Sequence, residues 1–434
     1  MFSPERTARA ASQPPLFPHG TIGRVNSALA PVLTSPGWDI LRSLGERTSP
    51  GTDLGLLGAS LRRAGTPADV VSAVLTQLEL RSAARAKFGP YADSMVFTRD
   101  GLEQATRLVV AAHHARRFRE AGASFVADLG CGIGGDALAI AGLGLRILAV
   151  DRDQDASAAA AINLRHFDEA SVLRGDVTEL DMEDLRGQGV DAVFADPARR
   201  TGAGGGSRRI ADPEQWSPPL SAVWRWRSGF ERVGVKLAPG IAHSALPADC
   251  HAQWVSVDGD LVEASVWTPA LAPEGPGRSA LVITGTGARV LADPATASAD
   301  APVRQAPSGE LGAVLAEPDP AVIRSGGLAH LADSIGARLI DPRIAYLTAD
   351  DIAASPLLSR FEVVARTALR AKAVSAALRP LGVGSVEVKK RGADINPAAL
   401  RKSLDLTPGG PGATVFATRV GGRHCAIIAR RLAD

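Results

Sequence analysis

The sequence predicts an α/β protein with a doubly wound parallel sheet, an N-terminal helical segment and a C-terminal α+β domain. Three observations lead to this prediction. Apolar runs of strand length alternate with helical segments over residues 125–284, which is typical of a parallel sheet covered by helices. A glycine-rich turn joins the first of these strands to a helix. From residue 360 onward the predicted order of elements changes to βαβαββ.

Residues 1–86 are predicted to form a helical region. Apolar residues recur at helical spacing from 70 to 80, with Thr66 as the expected cap and Pro67 at the first helical position. A second helix is expected over about 100–119, directly before the first strand. These helices would therefore lead straight into the sheet.

Residues 87–292 are predicted to contain the parallel sheet and its helices. Several of its strands end at an acidic residue. Because the carboxyl ends of parallel strands meet at one edge of a sheet, this edge is the expected ligand site. The predicted strands are 125–128, 147–151, 171–176, 190–196, 232–237, 253–257, 261–267 and 280–284.

The remaining chain is predicted to contain a linker and a second domain. Residues 293–358 begin with an Ala-, Pro- and Ser-rich stretch and are interpreted as a linker and connecting segment. Residues 359–434 are predicted to form a small α+β sandwich of ferredoxin-like type. Asn396 is the expected cap of its second helix, and Gly421-Gly422 is the expected hairpin turn.

The turn over 128–136, with the sequence DLGCGIGGD, is predicted to bind a nucleotide-like ligand. Its glycines match the spacing of a dinucleotide site, at Gly130, Gly132 and Gly135. Asp128 favours a different ligand, because a carboxylate in the crevice repels a pyrophosphate but attracts an ammonium and a sulfonium group. This pattern indicates S-adenosylmethionine, with NAD as the alternative. Gly130, Cys131 and Gly132 are predicted to bind the ligand, with Cys131 as the small residue that the turn needs and not as a nucleophile.

The acids at the next strand ends are predicted to hold the same donor. Asp151 can accept hydrogen bonds from both ribose hydroxyls, and Arg152 can lie against the adenine. Asp176 can accept a hydrogen bond from the adenine amino group, and Val177 is predicted to bind the donor beside it. A single Asp at a strand end is more often a cap or turn residue. Three at successive strand ends favour a shared ligand.

The sequence D-P-A-R-R at 196–200 resembles the (D/N/S)-P-P-(Y/F/W) motif of amino-directed methyltransferases. In those enzymes the acid and the following carbonyl hold an exocyclic amine toward the methyl group, and positioning supplies most of the catalysis. Asp196 and Pro197 match, whereas Arg199 replaces the aromatic residue that stacks on the base. An Arg plane can also stack on a base or pair with a phosphate. We therefore expect Arg199 in the catalytic set, and Arg200 and Trp216 in substrate binding.

Further motifs resemble a bacterial class I methyltransferase family. Phe97 and Thr98 belong to an F-T…L-E-Q-A-T entry that precedes the glycine turn and D-P-A-R-R. That family combines a Rossmann-like class I methyltransferase domain with a C-terminal THUMP-like domain. Its catalytic fold is similar to trimethylguanosine synthase and other RNA guanine methyltransferases. The resemblance covers residues 60–434 and implies that Phe97 and Thr98 close over the donor and that the C-terminal domain binds RNA.

The charge distribution also indicates a polyanionic partner. Residues 360–434 contain 14 Lys plus Arg and 5 Asp plus Glu, a balance of +9, whereas the rest of the chain, with 34 against 41, carries −7. The strongest basic cluster, Lys389, Lys390 and Arg391, is predicted to contact RNA. The alternative is a solvated edge strand, since lysines also protect sheet edges from pairing.

The cysteine spacing and the apolar runs bear on metal binding and on the cellular compartment. The three cysteines are too far apart for a zinc site or a disulfide framework, so we expect no metal and a reducing compartment. Residues 1–6 lack the basic-then-apolar pattern of a signal peptide, and no apolar run reaches the length of a membrane helix. These features favour the cytoplasm.

Together the motifs predict an S-adenosylmethionine-dependent methyltransferase that acts on a base nitrogen of rRNA or tRNA. Two alternatives remain. The acceptor can instead be a protein side chain or a small-molecule amine. The chain can also be a donor-binding RNA-interaction protein without transfer activity, since the aromatic residue of the D-P-P-Y type of motif is absent.

Overall fold

The computed structural model describes residues 29–33, 35–45, 51–197 and 212–433. The chain divides into two compact units, Met1–Val235 and Lys236–Asp434. This division lies inside the predicted sheet domain, 87–292, within a strand that spans Arg232–Leu237.

Helices precede the first strand in the described part of the chain. They are α1 (Ala30–Leu33), α2 (Gly37–Gly45), α3 (Leu54–Arg63), α4 (Ala68–Phe88), α5 (Arg99–Gln104) and α6 (Leu108–Glu120). At α4 the cap position is occupied by Pro67, not by the expected Thr66, and there is no side-chain cap bond. The helix expected over 100–119 is divided into α5 and α6, because Ala105 and Arg107 leave helical backbone geometry.

Five parallel strands form the part of the sheet that holds the candidate site. They are β1 (Phe125–Leu129), β2 (Arg146–Asp151), β3 (Ala170–Arg174), β4 (Ala192–Ala195) and β5 (Arg232–Leu237), in the order β3-β2-β1-β4-β5. Helices α7 (Gly135–Gly142), α8 (Gln154–Asn163), α9 (Met182–Gly187) and α10 (Leu220–Arg225) connect them. The strand order reverses between β1 and β4, and ligands of open α/β sheets bind at such a point.

Four strands in mixed orientation extend the sheet beyond the parallel series. They are β6 (His251–Val257), β7 (Asp260–Trp267), β8 (Gly277–Thr284) and β9 (Gly287–Ala292). β6 pairs antiparallel with β7 and parallel with β8, and β8 pairs antiparallel with β9. The complete strand order is β3-β2-β1-β4-β5-β7-β6-β8-β9.

The segment 293–358 is not the linker that its composition predicts. It contains β10 (Val314–Pro318), α11 (Pro320–Ser325), α12 (Leu328–Ser334), β11 (Arg338–Asp341) and β12 (Ile344–Ala349). Its strands are largely buried, because they join a second sheet whose core they help to form. The Ala-, Pro- and Ser-rich stretch that indicated a linker ends before β10.

The C-terminal elements have the predicted βαβαββ order. They are β13 (Leu358–Thr367), α13 (Ala371–Leu378), β14 (Ser385–Lys390), α14 (Pro397–Lys402), β15 (Gly412–Val420) and β16 (Arg423–Arg431). Asn396 caps α14 as expected, and Gly421 and Gly422 form the hairpin turn with positive φ angles. The second sheet has the order β11-β12-β10-β13-β16-β15-β14, which leaves β14 at an edge.

This second sheet is curled around its own core. Arg419 on β15 bonds both oxygens of Asp341 on β11, at 3.0 and 3.1 Å, although these strands are far apart in the strand order. Tyr346, Phe361 and Phe416 pack edge to face on the inner side. Helices α13 and α14 cover the outer side and bury a second apolar cluster.

Candidate functional site

The glycine turn leads from β1 into α7 and hydrogen-bonds to the carboxyl end of β2. The amides of Gly130 and Cys131 both donate to the carbonyl oxygen of Val150, at 2.9 and 3.0 Å. Gly130, Gly132 and Gly134 have φ angles of 91°, 55° and 83°. A β-carbon is strained in such backbone geometry, so the turn requires glycine at these positions.

Asp151, at the end of β2, is tied to this turn. Its Oδ2 accepts a hydrogen bond from the Gly132 amide and its Oδ1 accepts one from the Asp153 amide, both at 2.8 Å. Burial raises the pKa of Asp151, while the two backbone donors oppose that shift. Each carboxylate oxygen has a further lone pair, so Asp151 can also accept hydrogen bonds from a ligand.

Asp176 follows the end of β3 and lies near Arg152. Its Oδ1 accepts hydrogen bonds from the amide and the hydroxyl of Thr178, at 2.9 and 2.7 Å, and these bonds lower the pKa of Asp176. The Arg152 Nη1 lies 3.8 Å from Asp176 Oδ2 with 60% of its side chain exposed. Arg152 thus spans the ends of β2 and β3, and Val177 is buried beside them.

Asp196 lies directly against the glycine turn. Its amide donates to the Leu129 carbonyl at 3.3 Å. A β-carbon added to Gly130 would lie 3.0 Å from the Asp196 carbonyl oxygen. The structure therefore brings the acid of the D-P pair and the predicted donor turn together, with Asp196 half-buried and Pro197 buried. Arg199 and Arg200 lie outside the described residues.

Asp128 and Cys131 are enclosed by the protein. Asp128 is 1% exposed, so it does not face an open crevice, contrary to the expectation from the sequence. Burial raises the pKa of the Cys131 thiol well above its usual range, and the nearby Asp128 and Asp151 carboxylates raise it further. A thiol held in its protonated form is a poor nucleophile, which agrees with a packing role for Cys131.

Phe97 and Thr98 precede α5, and their side chains have local roles. The Thr98 hydroxyl accepts a hydrogen bond from the Gly101 amide at 2.9 Å and caps α5. The ring of Phe97 is fully buried and packs against Phe88, with ring centroids 5.7 Å apart. The expectation that this ring covers the donor is therefore not met in the present conformation.

A buried amide that the sequence does not single out links this segment to the turn. Asn163 Nδ2 donates to the carbonyls of Val96 and Ile133, at 3.0 and 2.8 Å. Its Oδ1 accepts from the Val96 amide at 2.7 Å. Asn163 stands at the end of α8, and its partners are 67 and 30 residues away, so no local pattern could have revealed it.

A second buried cluster lies at the start of α7. Asp136 accepts a hydrogen bond from the Thr106 hydroxyl at 2.7 Å, and its other oxygen lies 2.8 Å from His114 Nδ1. All three residues are buried. The sequence offered a partial signal, because Asp136 ends the glycine motif and Thr106 ends L-E-Q-A-T. Because Thr106 lies between α5 and α6, its bond to Asp136 attaches this break to the end of the glycine turn.

The residues predicted to contact RNA are largely engaged within the protein. Lys389 forms an ion pair with Glu317. The Arg391 guanidinium lies 4.9 Å from the centroid of the Tyr346 ring. Lys390 is exposed. The cluster that looks continuous in sequence therefore presents one exposed cation, Lys390, whose ammonium group donates to the Ile395 carbonyl at 3.0 Å, because the curled sheet brings β10 and β12 against the other two.

Trp216 also differs from its expected role. Its side chain is 4% exposed, and the residue ends a short 3₁₀ helix after Pro213. A ring enclosed in this way packs against the protein and does not offer a face for stacking on a base.

Comparison with known proteins identifies the family. An uncharacterized S-adenosylmethionine-dependent methyltransferase of Mycobacterium tuberculosis H37Rv is 33% identical over 332 residues, which cover 75% of this chain and 85% of that protein. The protein of strain CDC 1551 gives the same values. The chain belongs to the S-adenosylmethionine-dependent methyltransferases. Its methyl donor is therefore S-adenosylmethionine, and the NAD alternative is excluded.

Further comparisons support the fold of this methyltransferase. A crystal structure of a putative methyltransferase from Porphyromonas gingivalis W83 matches 85% of this chain and 92% of its own, with a TM-score of 0.67 and 19% identity. The family described as THUMP domain-like matches residues 358–431, which confirms the predicted C-terminal domain. A domain of unknown function matches residues 26–84.

The candidate site has room and polar groups that suit a nucleoside ligand such as S-adenosylmethionine. Gly130 leaves no room for a β-carbon beside Asp196, whereas at Gly132 a β-carbon would meet nothing within 4 Å. The turn is thus closed on the Asp196 side and open at Gly132. Asp151 and Asp176 supply carboxylate acceptors suited to hydroxyl and amino groups.

Two further properties concern the described residues alone. They contain no group of three or more His, Cys, Asp or Glu side chains that could hold a metal ion. Among them there is also no helix long and apolar enough to cross a membrane.

Proposed function

We propose that this methyltransferase transfers a methyl group to a base nitrogen of RNA. The observation that carries the proposal is the close approach of Asp196 to Gly130, with 3.0 Å between the Asp196 carbonyl oxygen and a β-carbon built on the glycine. It puts an acid of the amino-directed type beside the donor turn. An amine held by Asp196 would lie next to a donor held by that turn.

Residues at the ends of β1, β2 and β3 bind the methyl donor. Asp151 binds the ribose hydroxyls, because both of its oxygens are oriented by backbone amides and have lone pairs left. Asp176 stays ionised and accepts from the adenine amino group, and Arg152 lies against the ring. Gly130 and Gly132 let the backbone approach the ligand, and S-adenosylmethionine supplies an electrophilic methyl group on a sulfonium.

The acceptor side rests on Asp196 and Pro197. The Asp196 carboxylate and the Pro197 carbonyl accept the two hydrogens of an exocyclic amine, which points the nitrogen lone pair at the methyl group. Because the transfer is an in-line displacement, this alignment supplies most of the rate enhancement. Asp196 also stabilises the positive charge that develops on the nitrogen before its proton is lost.

RNA is the proposed acceptor because exposed cations line one edge of the THUMP-like domain. β13 and β15 both run antiparallel to β16, and β14 runs parallel to β15, so the carboxyl ends of β13, β14 and β15 point to the same edge. Four exposed cations lie at or just after these ends: Arg366, Arg370, Lys390 and Arg423. We call them the basic edge. A row of cations suits a phosphate backbone.

The experiment uses RNA from cells that lack this gene, since such RNA holds the unmodified acceptor. Purified protein is incubated with methyl-labelled S-adenosylmethionine and this RNA, and labelled nucleosides are identified by mass spectrometry. Asp196→Ala should lower transfer about 100-fold or more, because the amine loses its alignment. S-adenosylhomocysteine affinity should stay within about threefold of native, since no donor contact is removed.

The control is Asp168→Ala, which removes an exposed acid between α8 and β3 and should leave transfer unchanged. Native activity in the Asp196→Ala variant would remove the catalytic assignment. Label in the protein or small-molecule fraction, with none in RNA, would support the second acceptor class. The internal engagement of Lys389 and Arg391 favours that second class, because it reduces the basic surface available to RNA.

A further inference from the structure

The segment 95–98 has no regular secondary structure, yet most of its backbone polar groups form hydrogen bonds. Five of them bond to side chains: the carbonyls of Met95, Val96 and Phe97, and the amides of Val96 and Phe97. Buried backbone groups left without partners cost free energy, so these side chains determine the path of the segment. Asn163 supplies two of the five bonds, and α4 supplies the rest.

The bonds from α4 come from buried polar side chains. Gln77, 1% exposed, donates to the Phe97 carbonyl at 2.7 Å and accepts from the Phe97 amide at 2.9 Å. Arg81, 4% exposed, donates through Nε to the Met95 carbonyl at 2.8 Å. Burial lowers the pKa of Arg81 to about 10, which shows how far its guanidinium is removed from water.

A third side chain of α4 bonds the chain that follows this segment, and we refer to 95–105 as the segment from here on. Lys87 donates to three carbonyls at the end of α5, those of Leu102, Glu103 and Ala105, at 2.8, 2.7 and 2.8 Å. An ammonium group at a helix C-terminus satisfies carbonyls that have no partner within the helix. Gln77, Arg81 and Lys87 therefore fasten the segment 95–105 along one side of α4.

The other side of this segment packs on the donor turn. A β-carbon added to Gly101 would lie 2.4 Å from Ile133 Cγ2, so α5 approaches the turn as closely as a glycine allows. Asn163 joins the Val96 carbonyl to the Ile133 carbonyl within the turn. Any movement of the segment away from α4 would therefore change its contact with Ile133.

We propose that the N-terminal helical region is a positioning element of the donor site, in which Gln77, Arg81 and Lys87 of α4 hold the segment 95–105 against the glycine turn. This assigns a role to the region matched as a domain of unknown function, which contains Gln77 and Arg81. The inference rests on the proposed donor site. It deepens that proposal by naming residues that contact no ligand but set donor affinity.

The test compares Gln77→Met with Leu78→Met by calorimetric titration with S-adenosylhomocysteine. Gln77→Met keeps the side-chain volume and removes both bonds to Phe97. Leu78→Met changes a neighbouring buried residue of the same helix that has no polar group. We expect Gln77→Met to weaken binding about tenfold, as two lost hydrogen bonds imply, with the stoichiometry still near one. Leu78→Met should bind within about twofold of native.

Stoichiometry separates positioning from a merely structural role. A variant that is partly and irreversibly misfolded would bind fewer ligands per chain, each with native affinity, and one that is reversibly unfolded would unfold near the assay temperature in thermal denaturation. Either result, or native affinity at full stoichiometry in Gln77→Met, would overturn the proposal. If Gln77→Met does not fold, Lys87→Met is tested instead. We expect it to lower S-adenosylhomocysteine affinity about threefold, because Lys87 is only half-buried.

A further comparison keeps this inference distinct from the donor site itself. Asp151→Asn should weaken S-adenosylhomocysteine binding whether or not α4 positions the segment. If Asp151→Asn binds as tightly as native protein, the proposed donor site is wrong. If Asp151→Asn weakens binding and Gln77→Met and Lys87→Met do not, the positioning role alone is wrong.

Discussion

Replacing Gly130 with alanine would test whether the donor turn positions Asp196. The new β-carbon would lie 3.0 Å from the Asp196 carbonyl oxygen, whereas ordinary contacts begin at about 3.4 Å. The backbone at Asp196 must therefore move by a few tenths of an ångström. Gly130 also has a φ angle of 91°, where an L-residue is strained.

Two magnitudes follow from this geometry. The φ angle alone should lower the free energy of unfolding by about 1–2 kcal/mol. A misplacement of 1 Å at a reacting group can cost about 100-fold in rate, so a shift of roughly 0.4 Å should cost about fivefold to tenfold. The rate loss should appear at saturating donor, because it arises at the acceptor group.

Gly189→Ala is the matched control for this experiment. Gly189 has a φ angle of 94°, almost that of Gly130, but a β-carbon there would meet nothing within 4 Å. It should therefore lose similar stability in thermal unfolding and keep the native transfer rate. Native transfer by folded Gly130→Ala, or an equal loss in Gly189→Ala, would refute the link between the turn and Asp196.

Two further predictions concern pH and salt. Burial raises the pKa of Asp151, so its ionised form is lost at a higher pH than for a solvated aspartate, and S-adenosylhomocysteine affinity should fall as pH decreases through that raised pKa. Calorimetry should show that the affinity of Asp151→Asn does not change with pH over this range. If the affinity of that variant fell with pH as steeply as that of the native protein, Asp151 would not be the ribose-binding group. Replacing the four cations of the basic edge with glutamine should weaken RNA binding. The slope of log K against log salt concentration should become shallower by about 0.7–0.9 for each phosphate contact that is lost. Arg401→Gln at the end of α14 is the control, and equal effects from it would contradict a localised surface.

The strand ends of the sheet were predictable because each depends on local sequence. An apolar run buried on both faces, followed by an acid or a glycine, defines a parallel strand and its carboxyl end. The predicted 232–237 strand agrees with β5 at both ends. The predicted 190–196 strand is shorter as β4, Ala192–Ala195, because Asp196 already turns toward Gly130. The predicted ends of these two strands therefore agree with the structure within about two residues.

The positioning contacts could not be predicted, because they join residues that are distant in the chain. Gln77 bonds a backbone 20 residues away and Asn163 bonds one 67 residues away. In sequence each is a polar residue within a helical pattern, which normally indicates a solvated face. Their burial follows from the irregular path of 95–98, and that path has no sequence signature of its own.

The basic cluster shows the opposite failure, since a strong sequence signal was weakened by tertiary structure. A count of charges treats Lys389 and Arg391 as equal to Arg366, but the curled sheet pairs Lys389 with Glu317 and lays Arg391 over Tyr346. Moving a polyanion onto these groups would require breaking contacts that are already made inside the protein. The cations of the basic edge are exposed, so this cost is smaller for them. If RNA binds the THUMP-like domain, its phosphates should therefore follow the basic edge, and mutation of Lys389 should affect stability more than RNA affinity.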